Sequence, residues 1–143
     1  MKYTLLLLLF CPFLLKAQKA ESAAAKKPLV SSTVDQQSEF EGGLQAWGNF
    51  LRKNLDASRA AEAQDSLSFA KYGMRQMAIV KFMVCEDGSL CDFEIVNKNK
   101  VSPAVANEAL KVIQKSPKWI PAKSKNGSVK TIFQQPIAFY FGD

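Results

Sequence analysis

The stretch from Val112 to Phe141 constrains the fold more than any other part of the chain. Pro117 cannot continue a helix and disfavours helical geometry in the residue before it, so an amphipathic helix must close at about Lys115. Asn126-Gly127 supplies two residues that tolerate positive φ, as a tight turn requires. The alternating residues from Thr131 to Phe141 then predict a final strand.

A tryptophan between two prolines lies inside this stretch. Pro121 holds the chain extended, which leaves Trp119 and Ile120 little freedom except to pack. We expect Trp119 to be buried against the first helix of the domain, near Trp47.

That first helix is predicted to begin after Phe40-Glu41-Gly42-Gly43 and to run for about a dozen residues. Its core-facing stripe recurs at the helical spacing and consists of Leu44, Trp47, Leu51 and Leu55, widened by Phe50. Residues 57–64 are helix-prone by composition. Residues 67–71 alternate between apolar and polar side chains through Leu67, Phe69 and Lys71, which indicates that the next strand starts well before Met77.

The residues from Met77 to Val96 predict a β-hairpin that turns at Asp87-Gly88. A two-residue loop would place Leu90 on the outer face, whereas an odd loop with Gly88 in the left-handed region places it beside Val84. Burial favours the odd loop. A bulge near Asp92 then returns Phe93 and Ile95 to the core, and Ser102-Pro103 begins the second long helix, with an apolar stripe of Val105, Ala109, Val112 and Ile113.

The odd loop brings Cys85 and Cys91 to the same outer face of neighbouring strands. Three interpretations stay open for this pair: a structural disulfide, two unpaired thiols and a redox-active pair. An oxidising compartment favours the structural disulfide. The redox pair is the least favoured, because neither Cys-x-x-Cys spacing nor a helix amino terminus is there to lower a thiol pKa.

Residues 1–17 have the features of an export signal, with a basic start, an apolar run and a small-residue exit at Ala17. The apolar run is interrupted by Pro12 and is shorter than the roughly 20 residues that a bilayer span needs. Lipoprotein processing at Cys11 is disfavoured because bulky Phe10 precedes it. We therefore expect a periplasmic protein without a stable membrane anchor, with a flexible leader over residues 18–37 and one domain over residues 38–143.

Composition excludes several function classes. The chain has no histidine, so the commonest general base and nitrogen metal ligand are missing. The net charge is +6, and removing Lys2 and Lys16 leaves 17 basic against 13 acidic residues, or +4, which is not the footprint of a nucleic-acid-binding protein. The lysines between 115 and 130 are interpreted as a solvated loop beside a strand edge. We predict no catalytic residues, no cofactor and no metal, and hence no enzyme.

Several of these segments together resemble the carboxy-terminal domain of TonB-family proteins, from about residue 38 to 141. The Pro-x-Trp-x-Pro-Ala segment, the Asn-Gly turn and the Pro-Ile-x-Phe strand carry most of the resemblance. The matching positions are Gly42, Gly43, Asp87, Gly88, Pro117, Trp119, Pro121, Asn126, Gly127 and Pro136. The resemblance implies an α+β fold with two layers, in which a small antiparallel sheet carries two helices on one face.

The resemblance also implies a role. TonB proteins carry energy from an inner-membrane motor to outer-membrane transporters, and their terminal domain grips an extended transporter segment at a sheet edge by β-augmentation. The expected partner-binding edge comprises Thr131, Ile132, Phe133, Gln134, Gln135 and Ile137. Gln134, Gln135 and Pro136 are expected to break the alternation of that strand, as edge strands often do.

Two function hypotheses follow. The first is a non-enzymatic periplasmic module that binds a protein, such as a segment of an outer-membrane transporter, at this edge. The alternative is a structural or self-associating domain whose edge pairs with its own copy in a homodimer. A redox protein that uses Cys85 and Cys91 is the poorest candidate.

Overall fold

A computed structural model describes residues 34–142 of the chain. The predicted export signal and most of the predicted leader lie outside the described residues. Among the residues that are described, no helix is long and apolar enough to cross a membrane.

Four helices and five strands make up the described chain. The helices are α1 (Gly43–Asn54), α2 (Ala57–Glu62), α3 (Ser66–Tyr72) and α4 (Pro103–Gln114). The strands are β1 (Arg75–Val84), β2 (Leu90–Ile95), β3 (Ala122–Ser124), β4 (Gly127–Val129) and β5 (Thr131–Tyr140). Both long helices begin and end within a residue or two of their predicted bounds, and Ser102 caps α4 by accepting a hydrogen bond from the Val105 N–H at 3.3 Å.

The main sheet is antiparallel and has the strand order β2-β1-β5, while β3 and β4 form a separate hairpin. The core face of β1 carries Ala78, Val80, Phe82 and Val84, all fully buried. The buried stripe of α4 and Trp47 of α1 pack against this face, which gives two layers. The fold is therefore the predicted α+β arrangement, with α2 and α3 as two further short helices.

The predicted early start of the hairpin strand is wrong, because residues 66–72 form α3. Asp65 caps this helix by accepting a hydrogen bond from the Ser68 N–H at 2.8 Å, and Gly73 ends it with φ of 78°. The alternation of apolar and polar residues does not reflect a buried strand face here, because Leu67 is 77% exposed. The two cap residues outweigh a period-two pattern of only three residues.

The hairpin itself follows the prediction. Val84 pairs with Leu90, so the loop between them has an odd length, and Gly88 adopts φ of 81°. The bulge falls at Asp92, which has φ of 52°, and Phe93 and Ile95 face the core. Cys85 and Cys91 form a disulfide, in the diagonal arrangement because Cys91 lies opposite Met83.

The turn between β3 and β4 lies one residue earlier than predicted. Ser124 pairs with Gly127, so Lys125 and Asn126 occupy the centre of the turn. Of the two residues predicted to take positive φ, only Gly127 does so, at 115°. The hairpin is also anchored to the start of the domain, because Gln36 pairs with Lys123 and Glu39 with Ile120.

Replacing Gly88 with alanine is expected to destabilise the fold more than replacing Gly73. Both glycines have positive φ, but a Cβ at Gly88 would lie 2.1 Å from the Trp119 carbonyl oxygen, whereas a Cβ at Gly73 meets nothing within 4 Å. Gly73→Ala should therefore report backbone strain alone, about 1–3 kcal/mol. Gly88→Ala should lose clearly more in denaturant unfolding and alter tryptophan fluorescence. Equal losses would show that the turn can shift away from Trp119.

Removing the disulfide should lower stability without changing the fold. Because the bond closes a short loop, Cys85→Ser with Cys91→Ser is expected to cost about 2 kcal/mol in denaturant unfolding. The reduced unsubstituted protein should show a similar loss, with far-ultraviolet circular dichroism unchanged. A midpoint that is insensitive to both treatments would mean that the β1–β2 turn needs no cross-link.

Candidate functional site

One side of β5 is an open sheet edge within the described residues. Its other side pairs with β1 along the whole strand, from Thr131 opposite Val84 to Tyr140 opposite Arg75. Between Thr131 and Tyr140 the strand has no charged residue. An edge of this length normally carries charged side chains that discourage further pairing.

The backbone direction along β5 follows from the bonds made by Ile79. Its N–H donates to the Asn97 side-chain oxygen and its carbonyl accepts from the Val96 N–H, both at 2.9 Å and both on the side of β2. Ile79 therefore makes no ladder bond to Pro136, which lies opposite it on β5. Because the pattern alternates, the β5 residues with outward backbone groups are Ile132, Gln134, Pro136, Ala138 and Tyr140.

Pro136 interrupts this row of outward groups. It has no N–H, and its carbonyl accepts a hydrogen bond of 2.8 Å from the Gln135 side-chain amide. A strand that added to the edge would find neither a donor nor a free acceptor at this point. The open edge is thus divided into one half at Ile132 and Gln134 and another at Ala138 and Tyr140.

The expected break in the alternation of β5 is wrong. Inward and outward side chains continue to alternate through Gln134, Gln135 and Pro136, and pairing with β1 is continuous. Gln135 can face inward because its side-chain oxygen accepts a hydrogen bond of 2.8 Å from the Trp47 indole N–H. A polar side chain at an inward position therefore has a partner on α1.

A groove of about 480 Å³ runs beside the first half of this edge. One wall is the segment from Gln36 to Phe40 with the first turn of α1, and the other is Phe133 to Gln135 of β5. Phe82 and Trp119 lie between the walls. The cavity thus has aromatic side chains between its walls, and the walls add amide side chains and the carboxylate of Glu39.

The helical spacing predicts that Leu44 is a core residue, but Leu44 belongs to this groove instead. Its side chain is 89% exposed and lines the cavity, whereas Trp47 one turn later is buried. The periodicity therefore indicates the correct face of the helix but not which positions on that face are covered.

The interior of the groove is part of a continuous aromatic cluster. Trp119 contacts Trp47 and Phe133, with ring centroids 5.1 Å apart in both cases, so the predicted burial of Trp119 near Trp47 is what the structure has. Its indole N–H donates to the Ser116 hydroxyl at 3.0 Å, and its backbone N–H donates to the Gly88 carbonyl at 2.8 Å. Trp119 is thus fixed at both ends.

Charges of both signs lie near the site. Lys118 pairs with Asp87 at 3.0 Å, and the Ser89 hydroxyl together with Lys118 holds the pKa of the Asp87 carboxyl well below its usual range. Lys123, Lys125 and Lys130 lie on or beside the β3–β4 hairpin and have no ion-pair partner among the residues described. The groove itself is lined by the carboxylate of Glu39 and by none of these lysines.

The family-motif positions do not form one site. Gly42 and Gly43 have positive φ at the start of α1, and Asn126 and Gly127 lie at the end of the β3–β4 turn and the start of β4. Asp87 and Gly88 meet the connection from Pro117 to Pro121, where Trp119 lines the groove. Of these residues only Pro136 lies on the open edge. Within residues 34–142, no three or more His, Cys, Asp or Glu side chains are grouped closely enough to hold a metal ion.

Sequence reasoning missed the other wall of the groove. The backbone N–H groups of Asp35 and Gln36, which belong to the predicted leader, donate hydrogen bonds to the Lys123 carbonyl at 2.8 and 3.1 Å. Ser38 is buried and its hydroxyl bonds to that of Thr131. The sequence around Ser38 has no periodic pattern that could predict its burial.

Together these features define a class: a small two-layer α+β domain with an open sheet edge beside an apolar groove. A family model described as the Gram-negative bacterial TonB protein C-terminal matches residues 70–141, which is 72 of the 143 residues. The chain belongs to this family. The family is a non-catalytic protein-interaction domain of the Gram-negative envelope, linked to TonB-dependent transport. No curated protein and no solved structure matched the chain.

Gln135→Leu should destabilise the domain, and Gln134→Leu should not. The first change leaves the partly buried Trp47 indole N–H without its acceptor and frees the Pro136 carbonyl, with an expected loss of about 1–3 kcal/mol. Gln134 faces outward, so its replacement should stay within about 0.5 kcal/mol of the parent protein. Denaturant unfolding checks both variants. Similar values for the two would mean that the Trp47–Gln135 hydrogen bond contributes nothing.

Proposed function

We propose that this protein is a non-enzymatic periplasmic binding module that holds an extended segment of another protein along the open edge of β5. The partner class is an outer-membrane TonB-dependent transporter. The observation that carries the proposal is the pair of outward residues, Ile132 and Gln134, directly beside an apolar groove. Family membership supplies the link to transport.

The edge and the groove provide the two components that strand addition needs. Ile132 and Gln134 each offer one N–H and one carbonyl, so an added segment gains up to four backbone hydrogen bonds. Side chains of that segment alternate, and those on the core side meet the cavity near Phe133. Backbone bonds give affinity in this mode, and the cavity that receives a side chain gives selectivity.

The six residues of the predicted edge have different roles in this proposal. Ile132 and Gln134 present backbone groups to the partner. Phe133 lines the cavity, and Gln135 closes the edge at Pro136. Thr131 and Ile137 are buried and direct their backbone groups to β1, so they position the strand without contacting a partner.

A second candidate function is self-association, in which two copies pair through the same edge. The absence of charge along β5 favours this alternative to the same extent as it favours a partner strand. Light scattering separates the two, because a stable dimer doubles the mass and occupies the edge. A monomer at micromolar concentration leaves the binding module as the conclusion.

Titration of isotopically labelled protein with the amino-terminal peptide of a TonB-dependent transporter tests the proposed function. The amide signals of Ile132 and Gln134 should move most, and that of Ile137 least, because its N–H is bonded to β1. Gln134→Pro removes an outward donor without breaking a β1 bond, as Pro136 already does two residues on. This variant should weaken binding about tenfold or more.

Ala138→Pro is the matched control, because it removes an equivalent outward donor on the far side of Pro136. Its affinity for the peptide should equal that of the parent protein. Lack of binding at millimolar peptide, or an equal effect of the two proline variants, would contradict binding at the half of the edge beside the groove.

A further inference from the structure

The described chain begins beside the groove. Val34 precedes Gln36 by two residues, and Gln36, Gln37 and Ser38 line the cavity. The hydrogen bond between the Ser38 and Thr131 hydroxyls fixes this wall at the amino-terminal end of β5. The residues just before Val34 are therefore tethered within a few residues of the open edge.

The segment before Val34 has one pair of large apolar residues. From Gln18 to Thr33 the only aliphatic residues larger than alanine are Leu29 and Val30. Val30 lies six positions before Gln36, a distance of up to about 20 Å when the chain is extended. The edge from Ile132 to Gln134 covers only about 7 Å. The segment is long enough to turn back and lie along the edge.

We propose that Leu29 and Val30 add to the β5 edge of their own chain as a short antiparallel strand beside Ile132 and Gln134, with one of the two side chains in the groove. The inference deepens the proposed function and rests on it in one respect, since it takes the same edge to be a strand acceptor. It makes the leader an internal competitor that a partner must displace.

Direction is consistent with this occupant. The leader reaches the described chain at the Thr131 end of β5, where Ser38 bonds to Thr131. A leader that turns back along the open edge from this end therefore runs antiparallel to β5, with Lys26 and Lys27 toward the Pro136 end of the strand.

Tethering makes weak pairing sufficient. A connection of so few residues gives the leader an effective concentration on the order of millimolar at the edge. A partner in solution displaces the leader when its concentration, relative to its own Kd, exceeds the effective concentration of the leader, relative to the Kd of the leader's pairing. Occupation of ninety per cent of the molecules would weaken the apparent affinity for a partner by about tenfold.

Amide hydrogen exchange of the exported, processed chain, followed by NMR, tests the inference without any partner. The amides of Ile132 and Gln134 should exchange about tenfold more slowly than in the variant Leu29→Asp with Val30→Asp. The Phe133 amide, which faces β1, should be protected equally in both proteins. Ala23→Asp with Ala24→Asp adds the same charge to the leader away from the apolar pair and should retain the protection.

Three results overturn the inference. Fast exchange of Ile132 and Gln134 in the unsubstituted chain means that nothing covers the edge. Protection that persists in the Leu29→Asp, Val30→Asp variant means that another element covers it. Protection that falls on dilution means that a second copy of the chain does so.

A second measurement separates this inference from the proposed function. The transporter peptide should bind the Leu29→Asp, Val30→Asp variant about tenfold more tightly than the unsubstituted chain. Equal affinities overturn the competition. If the peptide binds neither protein while the exchange pattern holds, the leader occupies the edge and the proposed transporter partner is wrong.

Discussion

The contacts that hold Trp119 in place are the interaction on which the rest of the structure depends. Its backbone N–H bonds to the Gly88 carbonyl, so the connection after α4 rests on the turn between β1 and β2. Its indole contacts Phe40, Trp47, Phe82 and Phe133, which come from four different parts of the chain. Only glycine fits at position 88, because a Cβ there would collide with the Trp119 carbonyl. The disulfide braces the same turn, and the position of the groove therefore depends on a loop that does not line it.

How much of this arrangement the sequence could predict depends on whether the determining contacts are local. Ser102, Pro103 and Pro117 fix the limits of α4 through their own backbone preferences, and burial of Leu90 fixes the odd loop of the hairpin. The core residue Trp119 was likewise evident from its neighbouring prolines.

The remaining features depend on distant partners. Leu44 has the spacing of a core residue, but whether it is covered depends on which distant segments pack beside it, and it is 89% exposed. Gln135 looks like a polar interruption until Trp47 is placed opposite it, 88 positions earlier in the chain. The wall from Gln36 to Phe40 becomes part of the site only through Lys123 and Thr131. No local pattern encodes such pairings, so the strand was predictable and the groove beside it was not.

The short length of the open edge limits what strand addition alone can achieve. Pro136 leaves two residues and up to four backbone hydrogen bonds in the half beside the groove, a net gain of about 2–6 kcal/mol. Association of two molecules costs an estimated 4–15 kcal/mol in lost freedom, so a partner from solution needs a side chain in the groove as well as the backbone bonds. A segment of the same chain meets a much smaller cost, because one of its ends is already held near the site. The same two residues are therefore more easily occupied from within the chain than from outside it, unless the partner fills the cavity better than Leu29 or Val30.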